Sequence, residues 1–91
     1  MEKKKTMLID SIKEQLKIYG YIDYSDDIKD YISLEEFLKI GRRYKCYYCD
    51  DNGTIFNNKG IKFYYSEYLT VDNWGLNFEE YKDKYFYKLT A

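Results

Sequence analysis

The sequence predicts an α+β fold: N-terminal helices, then a small antiparallel sheet of three to four strands, then a short C-terminal helix or strand. Three observations carry this expectation. Apolar residues recur at helical spacing over 5–19, Ser33 and Glu36 form the two ends of a capping box, and Asp50-Asp51-Asn52-Gly53 separates two runs of strand-forming residues. At 91 residues the chain is expected to be a single domain, 1–91, with one modest core.

In the first helix Leu8, Ile9, Ile12, Leu16 and Tyr19 form the apolar face, Lys13, Glu14 and Lys17 the polar one, and Gly20 the stop. Tyr21, Ile22 and Tyr24 read as a short extended piece, after which Ser25 or Asp26 caps a short helix carrying Ile28, Tyr31 and Ile32. Ser33-Leu34-Glu35-Glu36 opens a further helix that runs through Ile40 and ends at Gly41. Arg42 to Cys49 reads as a strand. Asn52-Gly53 supplies the positive φ angles of a tight hairpin, and Thr54-Ile55-Phe56 is the return strand. Asn57-Asn58-Lys59-Gly60 reads as another turn, Ile61 to Tyr65 as a third strand, Ser66 to Val71 as one helical turn, and Trp74-Gly75-Leu76 as a closing strand. Asn77 with Glu80 repeats the capping-box pattern, so a helix over 78–84 and an extended end are expected.

Composition narrows the function. Hydrophobic residues make up 45% and charged residues 34%, within the globular range. The 13 Tyr are more rings than so small a chain can fully bury, so several line the surface, and exposed Tyr is enriched at binding surfaces. Pro and His are absent and Ala91 is the sole Ala, while Lys, Ile, Tyr, Asn and Asp abound. That bias implies an AT-rich genome, such as that of a low-GC bacterium or its phage or plasmid. A net charge of −1 argues against a dedicated nucleic-acid binder. Charge is unevenly placed, however. Asp23, Asp26, Asp27, Asp30, Glu35 and Glu36 face Lys29 alone in one stretch, whereas Lys39, Arg42, Arg43 and Lys45 follow without an acid between them. No apolar run approaches the ~20 residues of a membrane span, and no signal peptide is evident, so the cytoplasm of a host cell is the expected location, with Cys46 and Cys49 reduced.

No motif points to catalysis, and the chain is expected not to be an enzyme. There is no His to act as a base, no nucleophile elbow and no phosphate-cradling glycine loop. Cys46-Tyr47-Tyr48-Cys49 lacks the two further ligands of a structural zinc site, and on a strand its thiols face opposite sides. If Gly53 were the sixth position of a calcium loop, the first and twelfth would be Tyr48 and Lys59, neither of which fits. No metal or cofactor is therefore expected. The most suggestive cluster is Arg42-Arg43-Tyr44-Lys45 with Tyr47 and Tyr48: guanidinium groups grip phosphate bidentately, and Tyr faces stack on bases. Its plainer reading is a charge-protected edge strand. Trp74, the single Trp, is either a core anchor or a stacking platform for the same ligand.

Residues 33–76 resemble a known family. Ser33-Leu34-Glu35-Glu36-Phe37-Leu38-Lys39-Ile40-Gly41-Arg42-Arg43-Tyr44-Lys45-Cys46 is similar to its opening of short helix, Gly, base and strand, and Tyr68-Leu69-Thr70-Val71-Asp72-Asn73-Trp74 is similar to its closing Asp-Trp motif. The family is the sponge-type Thoeris anti-defence proteins of phages. The chain departs from it at Cys46, where the family tends to carry an aromatic, and at Asn73, where it carries Asp. The resemblance implies an oligomeric phage protein that sequesters a nucleotide immune signal, with Arg42, Arg43 and Trp74 at the site. The leading expectation is therefore a nucleotide-signal binder using Arg42, Arg43, Lys45, Tyr47, Tyr48 and Trp74. The alternative is a protein-binding inhibitor, such as an anti-CRISPR, whose acidic face (Asp23, Asp26, Asp27, Asp30, Glu35, Glu36) occupies a nucleic-acid groove of a host defence protein. A third is a subunit whose Tyr-rich surface packs against its own copy.

Overall fold

The computed structural model describes residues 2–49, 53–68 and 73–90. In chain order the elements are α1 (Glu2–Ile18), β1 (Tyr21–Asp23), α2 (Asp26–Lys29), α3 (Leu34–Arg43), β2 (Tyr47–Cys49), β3 (Thr54–Phe56), α4 (Asn58–Glu67), α5 (Phe78–Tyr85) and β4 (Tyr87–Lys88). The strands form one antiparallel sheet in the order β1-β3-β2-β4, so the expected α+β class holds.

The sheet has helices on both faces because its strands alternate with period two. Ile22, Ile55 and Tyr48 stand side by side in register and pack with Ile12, Leu16, Ile28, Ile32, Phe37 and Cys46, under α1, α2 and α3. Their neighbours Tyr21, Phe56 and Tyr47 are also in register and turn the other way, toward Ile61, Tyr81 and Phe86 of the α4–α5 side. The molecule is elongated, 48 × 23 × 19 Å, which leaves room for two core clusters rather than one. Ile12, Phe37, Ile55 and Ile61 are fully shielded, each worth about 1.5–3 kcal/mol relative to an exposed position.

Both capping boxes form. Ser33 Oγ accepts from Glu36 N at 3.2 Å, and Asn77 Oδ1 accepts from Glu80 N at 2.9 Å, with each Glu carboxylate accepting the N-cap N–H in return. Ser25 caps α2 by position, without a side-chain hydrogen bond.

Three elements differ from the sequence expectation. Gly41 does not end α3; the helix continues through Arg43. The missing side chain at Gly41 admits the Leu89 side chain, whose Cδ1 would lie 2.7 Å from a Cβ there, so this glycine serves packing rather than termination. The helix stops instead in a Schellman motif. Cys46 N donates to Gly41 O at 2.8 Å and Lys45 N to Arg42 O at 3.1 Å, with Lys45 in the left-handed region at φ 57°. Consequently Arg42 and Arg43 are helical, and the strand begins only at Tyr47.

Residues 57–65 form no turn and strand; they are the cap and body of α4. Asn57 is the N-cap and accepts from Gly60 N at 3.1 Å. Ile61, Tyr64, Tyr65 and Tyr68 satisfied the helical period as fully as Ile61, Phe63 and Tyr65 satisfied the strand one, and the cap decided between them. Finally, Trp74-Gly75-Leu76 is a turn, with Leu76 N donating to Asn73 O and Gly75 at φ 90°. The hairpin residues 50–52, the second half of the expected helical turn at 66–71 and most of the resembling motif at 68–74 lie outside the described residues, while Ser66 and Glu67 belong to α4.

A close backbone approach joins the end of α1 to the start of α4. A Cβ on Gly60 would overlap the carbonyl of Gly20, and a Cβ on Gly20 would overlap Gly60 N. Among the described residues nothing lies within 4 Å of a Cβ on Gly75, which needs glycine only for its φ. Gly60→Ala is therefore expected to cost at least about 3 kcal/mol and Gly75→Ala only about 1–2 kcal/mol, as read from urea midpoints.

Candidate functional site

The C-terminal half of α3 brings Lys39, Arg42 and Arg43 to one face, at i, i+3 and i+4. Together with Ile40, with Ile9 of α1, Ile32 and Glu36, and with Thr90 of the C-terminal end, they line an open groove of about 840 Å³. That is within the volume range of small-molecule sites. Ile32 is buried and Ile9 and Ile40 are half-buried, so the floor is aliphatic, while the three bases are exposed at its edge.

Among the described residues Glu36 is the one carboxylate lining the groove, and it is already engaged. Lys5 of α1 pairs with it at 2.5 Å, and it also closes the capping box with Ser33. The Lys5 hydrogen bond, followed by that from the Ser33 backbone, holds its carboxyl below the usual range. Among the described residues, the charges of Lys39, Arg42 and Arg43 therefore meet no unpaired carboxylate in the groove. Because the last turn of a helix presents carbonyls rather than N–H groups, an anion bound here is held by side chains alone.

The other expected residues are distributed elsewhere. Lys45 is exposed at the left-handed position that ends α3. Tyr47 and Tyr48 point to opposite faces of the sheet, Tyr48 into the α1–α3 cluster and Tyr47 into the α4–α5 cluster. The Tyr47 ring is occupied as well: Lys82 Nζ lies 5.2 Å from its centroid and 5.2 Å from that of Phe78, and it pairs with Glu79 at 3.0 Å. Trp74 is 69% exposed in the turn before α5, which rules out a core anchor and leaves a free aromatic surface. In its place Leu76 joins the core, its carbonyl accepting from Tyr65 Oη at 2.9 Å. Thus the structure joins Arg42 and Arg43 to Lys39, and joins neither to Tyr47, Tyr48 or Trp74.

The acidic residues divide similarly. Asp23 accepts from Thr54 Oγ1 across the β1–β3 ladder, and Asp26 pairs loosely with Lys29 at 3.8 Å. Asp27, Asp30 and Glu35 are exposed. Glu36 belongs to the basic groove, so the acidic surface contracts to the neighbourhood of α2.

The two thiols fall in different clusters, Cys46 with the α1–α3 side and Cys49 with the α4–α5 side. Burial pushes the Cys46 thiol up to about 11. Among the described residues no group of three or more His, Cys, Asp or Glu is placed to hold a metal ion, and no helix is long and apolar enough to cross a membrane.

Sequence reasoning passed over the groove because it ended α3 at Gly41. The spacing of Lys39, Arg42 and Arg43 was the available signal, legible once the helix is extended by three residues. The contributions of Ile9, Ile32 and Thr90 come from distant segments and leave no local signal. No family model, curated protein or solved structure matches the chain.

Two outcomes follow for stability. The folded state keeps the Cys46 proton that an unfolded thiol releases above about pH 8.5, so stability falls as pH rises from there toward about 11. Cys46→Ala is expected to flatten that slope below the tyrosine range, measured as urea midpoint against pH. Lys45→Gly is expected to raise stability by about 1 kcal/mol, because glycine occupies the left-handed region without Cβ strain.

Proposed function

We propose that this chain is a non-catalytic binding protein that sequesters a nucleotide signal, acting as an anti-defence protein of a phage or mobile element. One observation carries the reading: three bases edge an aliphatic groove of nucleotide-compatible size whose single carboxylate among the described residues is already paired. Arg42 and Arg43 hold phosphate through bidentate hydrogen bonds, with Lys39 as a third point charge. The base lies against Ile9, Ile32 and Ile40, in place of the tyrosine stack that the sequence suggested. The resemblance over residues 33–76 supports the same class of ligand.

The test is isothermal titration with cyclic ADP-ribose isomers and cyclic di- and trinucleotides. One of them is expected to bind with an affinity that falls at higher salt. Arg42→Ala/Arg43→Ala is expected to weaken it by at least about tenfold, the scale of one lost charge-assisted hydrogen bond. Both residues are exposed, so the fold survives the change. Unaltered affinity in the double variant, or no binding by any nucleotide of the panel, overturns the reading.

A further inference from the structure

The basic groove holds one group that phosphate binding does not use. Among the described residues, the charged side chains lining it are Lys39, Arg42, Arg43 and Glu36. The three bases can only donate hydrogen bonds, whereas the carboxylate of Glu36 can only accept them. A nucleotide brings both kinds of partner. Its phosphates accept, while its ribose hydroxyls and the exocyclic amine of adenine, guanine or cytosine donate.

The two kinds of group stand at opposite ends of α3. Glu36 lies in its first turn, Arg42 and Arg43 in its last. At about 1.5 Å per residue, the stretch from Glu36 to Arg43 spans about 10 Å of helix. The aliphatic side chains of Ile32 and Ile40 line the same groove. A phosphate gripped at the arginine end therefore leaves the sugar and base directed over the aliphatic floor toward Glu36.

Glu36 is also fixed before any ligand arrives. Its Oε1 accepts from Ser33 N at 3.4 Å and from Ser33 Oγ at 3.3 Å, and its Oε2 meets Lys5 Nζ at 2.5 Å. A carboxylate has roughly four lone-pair sites, so about one is left after these bonds. The Lys5 hydrogen bond, followed by that from the Ser33 backbone, lowers its pKa and keeps it ionised, hence a pure acceptor, at neutral pH. The Lys5 ammonium beside it repels a second cation, so the donor that suits the remaining site is a neutral one.

We propose that Glu36 is the specificity-determining residue of the groove, accepting a hydrogen bond from a neutral donor of the bound nucleotide, a ribose hydroxyl or the exocyclic amine, while Arg42 and Arg43 hold its phosphate. The proposal rests on the nucleotide reading of the groove and adds to it which part of the nucleotide is recognised.

The experiment is a calorimetric titration of the full chain with ADP, 2′,3′-dideoxy-ADP, inosine diphosphate and pyrophosphate, repeated on Glu36→Gln. Gln is itself a capping-box residue, so the start of α3 is kept. The unaltered chain is expected to prefer ADP by about fivefold over the analogue that lacks the recognised donor, the scale of one net hydrogen bond. A preference over dideoxy-ADP identifies a hydroxyl, and a preference over inosine diphosphate the amine; either result supports the proposal. In Glu36→Gln that preference is expected to vanish, while pyrophosphate binds as well or more tightly because a negative charge has left the groove. Equal affinity of the unaltered chain for all three nucleotides, or a preference that survives in Glu36→Gln, overturns the proposal and leaves the nucleotide reading standing on Arg42 and Arg43. Loss of pyrophosphate binding in Glu36→Gln assigns the residue to the fold and overturns it as well. Failure of ADP to bind while a cyclic nucleotide does bind overturns this proposal alone, and failure of every nucleotide overturns both.

Discussion

Everything on the α4–α5 side hangs from one junction, at which the end of α1 meets the start of α4. Asn57 serves both helices. Its side-chain amide donates to Leu16 O at 2.7 Å, satisfying a carbonyl in the last turn of α1, while its side-chain oxygen caps α4 through Gly60 N. Its backbone N–H donates to Gly20 O at 2.8 Å. One residue therefore satisfies a helix C-terminus and a helix N-terminus that would otherwise need water. This works only because Gly20 and Gly60 let two backbones approach to a distance no Cβ permits. Lys59 Nζ adds a further bond to Lys17 O at 3.3 Å. With α4 fixed there, Phe56 packs against Tyr64 and Phe86, and the second cluster assembles on the sheet.

This junction explains which parts of the fold could be read from the sequence. Elements defined by local chemistry were legible: the amphipathic repeat of α1, the Ser33–Glu36 and Asn77–Glu80 boxes, and the short strands at Tyr21 and Thr54. Elements whose residues answer to distant partners were not. Gly60 resembles a turn residue until Gly20 is placed against it, and Gly41 resembles a stop until Leu89 fills its notch. Asn57 carries the same signature in a turn as at an N-cap, and only the residues that follow separate the two. Trp74 misled for a related reason: large aromatics usually anchor cores, yet here Gly75 breaks the chain direction and delivers Leu76 inward instead.

The tyrosines show the same split between composition and placement. Their number suggested a stacking surface, yet most of them are employed in building the molecule. Tyr24 Oη donates to Ile32 O at 2.6 Å, and Tyr65 and Tyr81 lie 5.3 Å apart in the second cluster. Tyr47 is held under the buried ammonium of Lys82, a contact that no short-range pattern announced. Hence the nucleotide site read from the sequence is only half assembled. Its cations converge through helix geometry, while its aromatics are spread over the two faces of the sheet and a remote turn, because neighbouring residues on a strand must point apart.

Placing the bases on a helix rather than a strand changes what they can do. A strand would have presented Arg42 and Arg43 to opposite sides, so that only one could meet a given phosphate. On α3 both join Lys39 at one edge. The extension that brings them there depends on Gly41 admitting Leu89 and on the Lys45 position absorbing the reversal of the chain. The basic groove is thus built by tertiary packing as much as by charge.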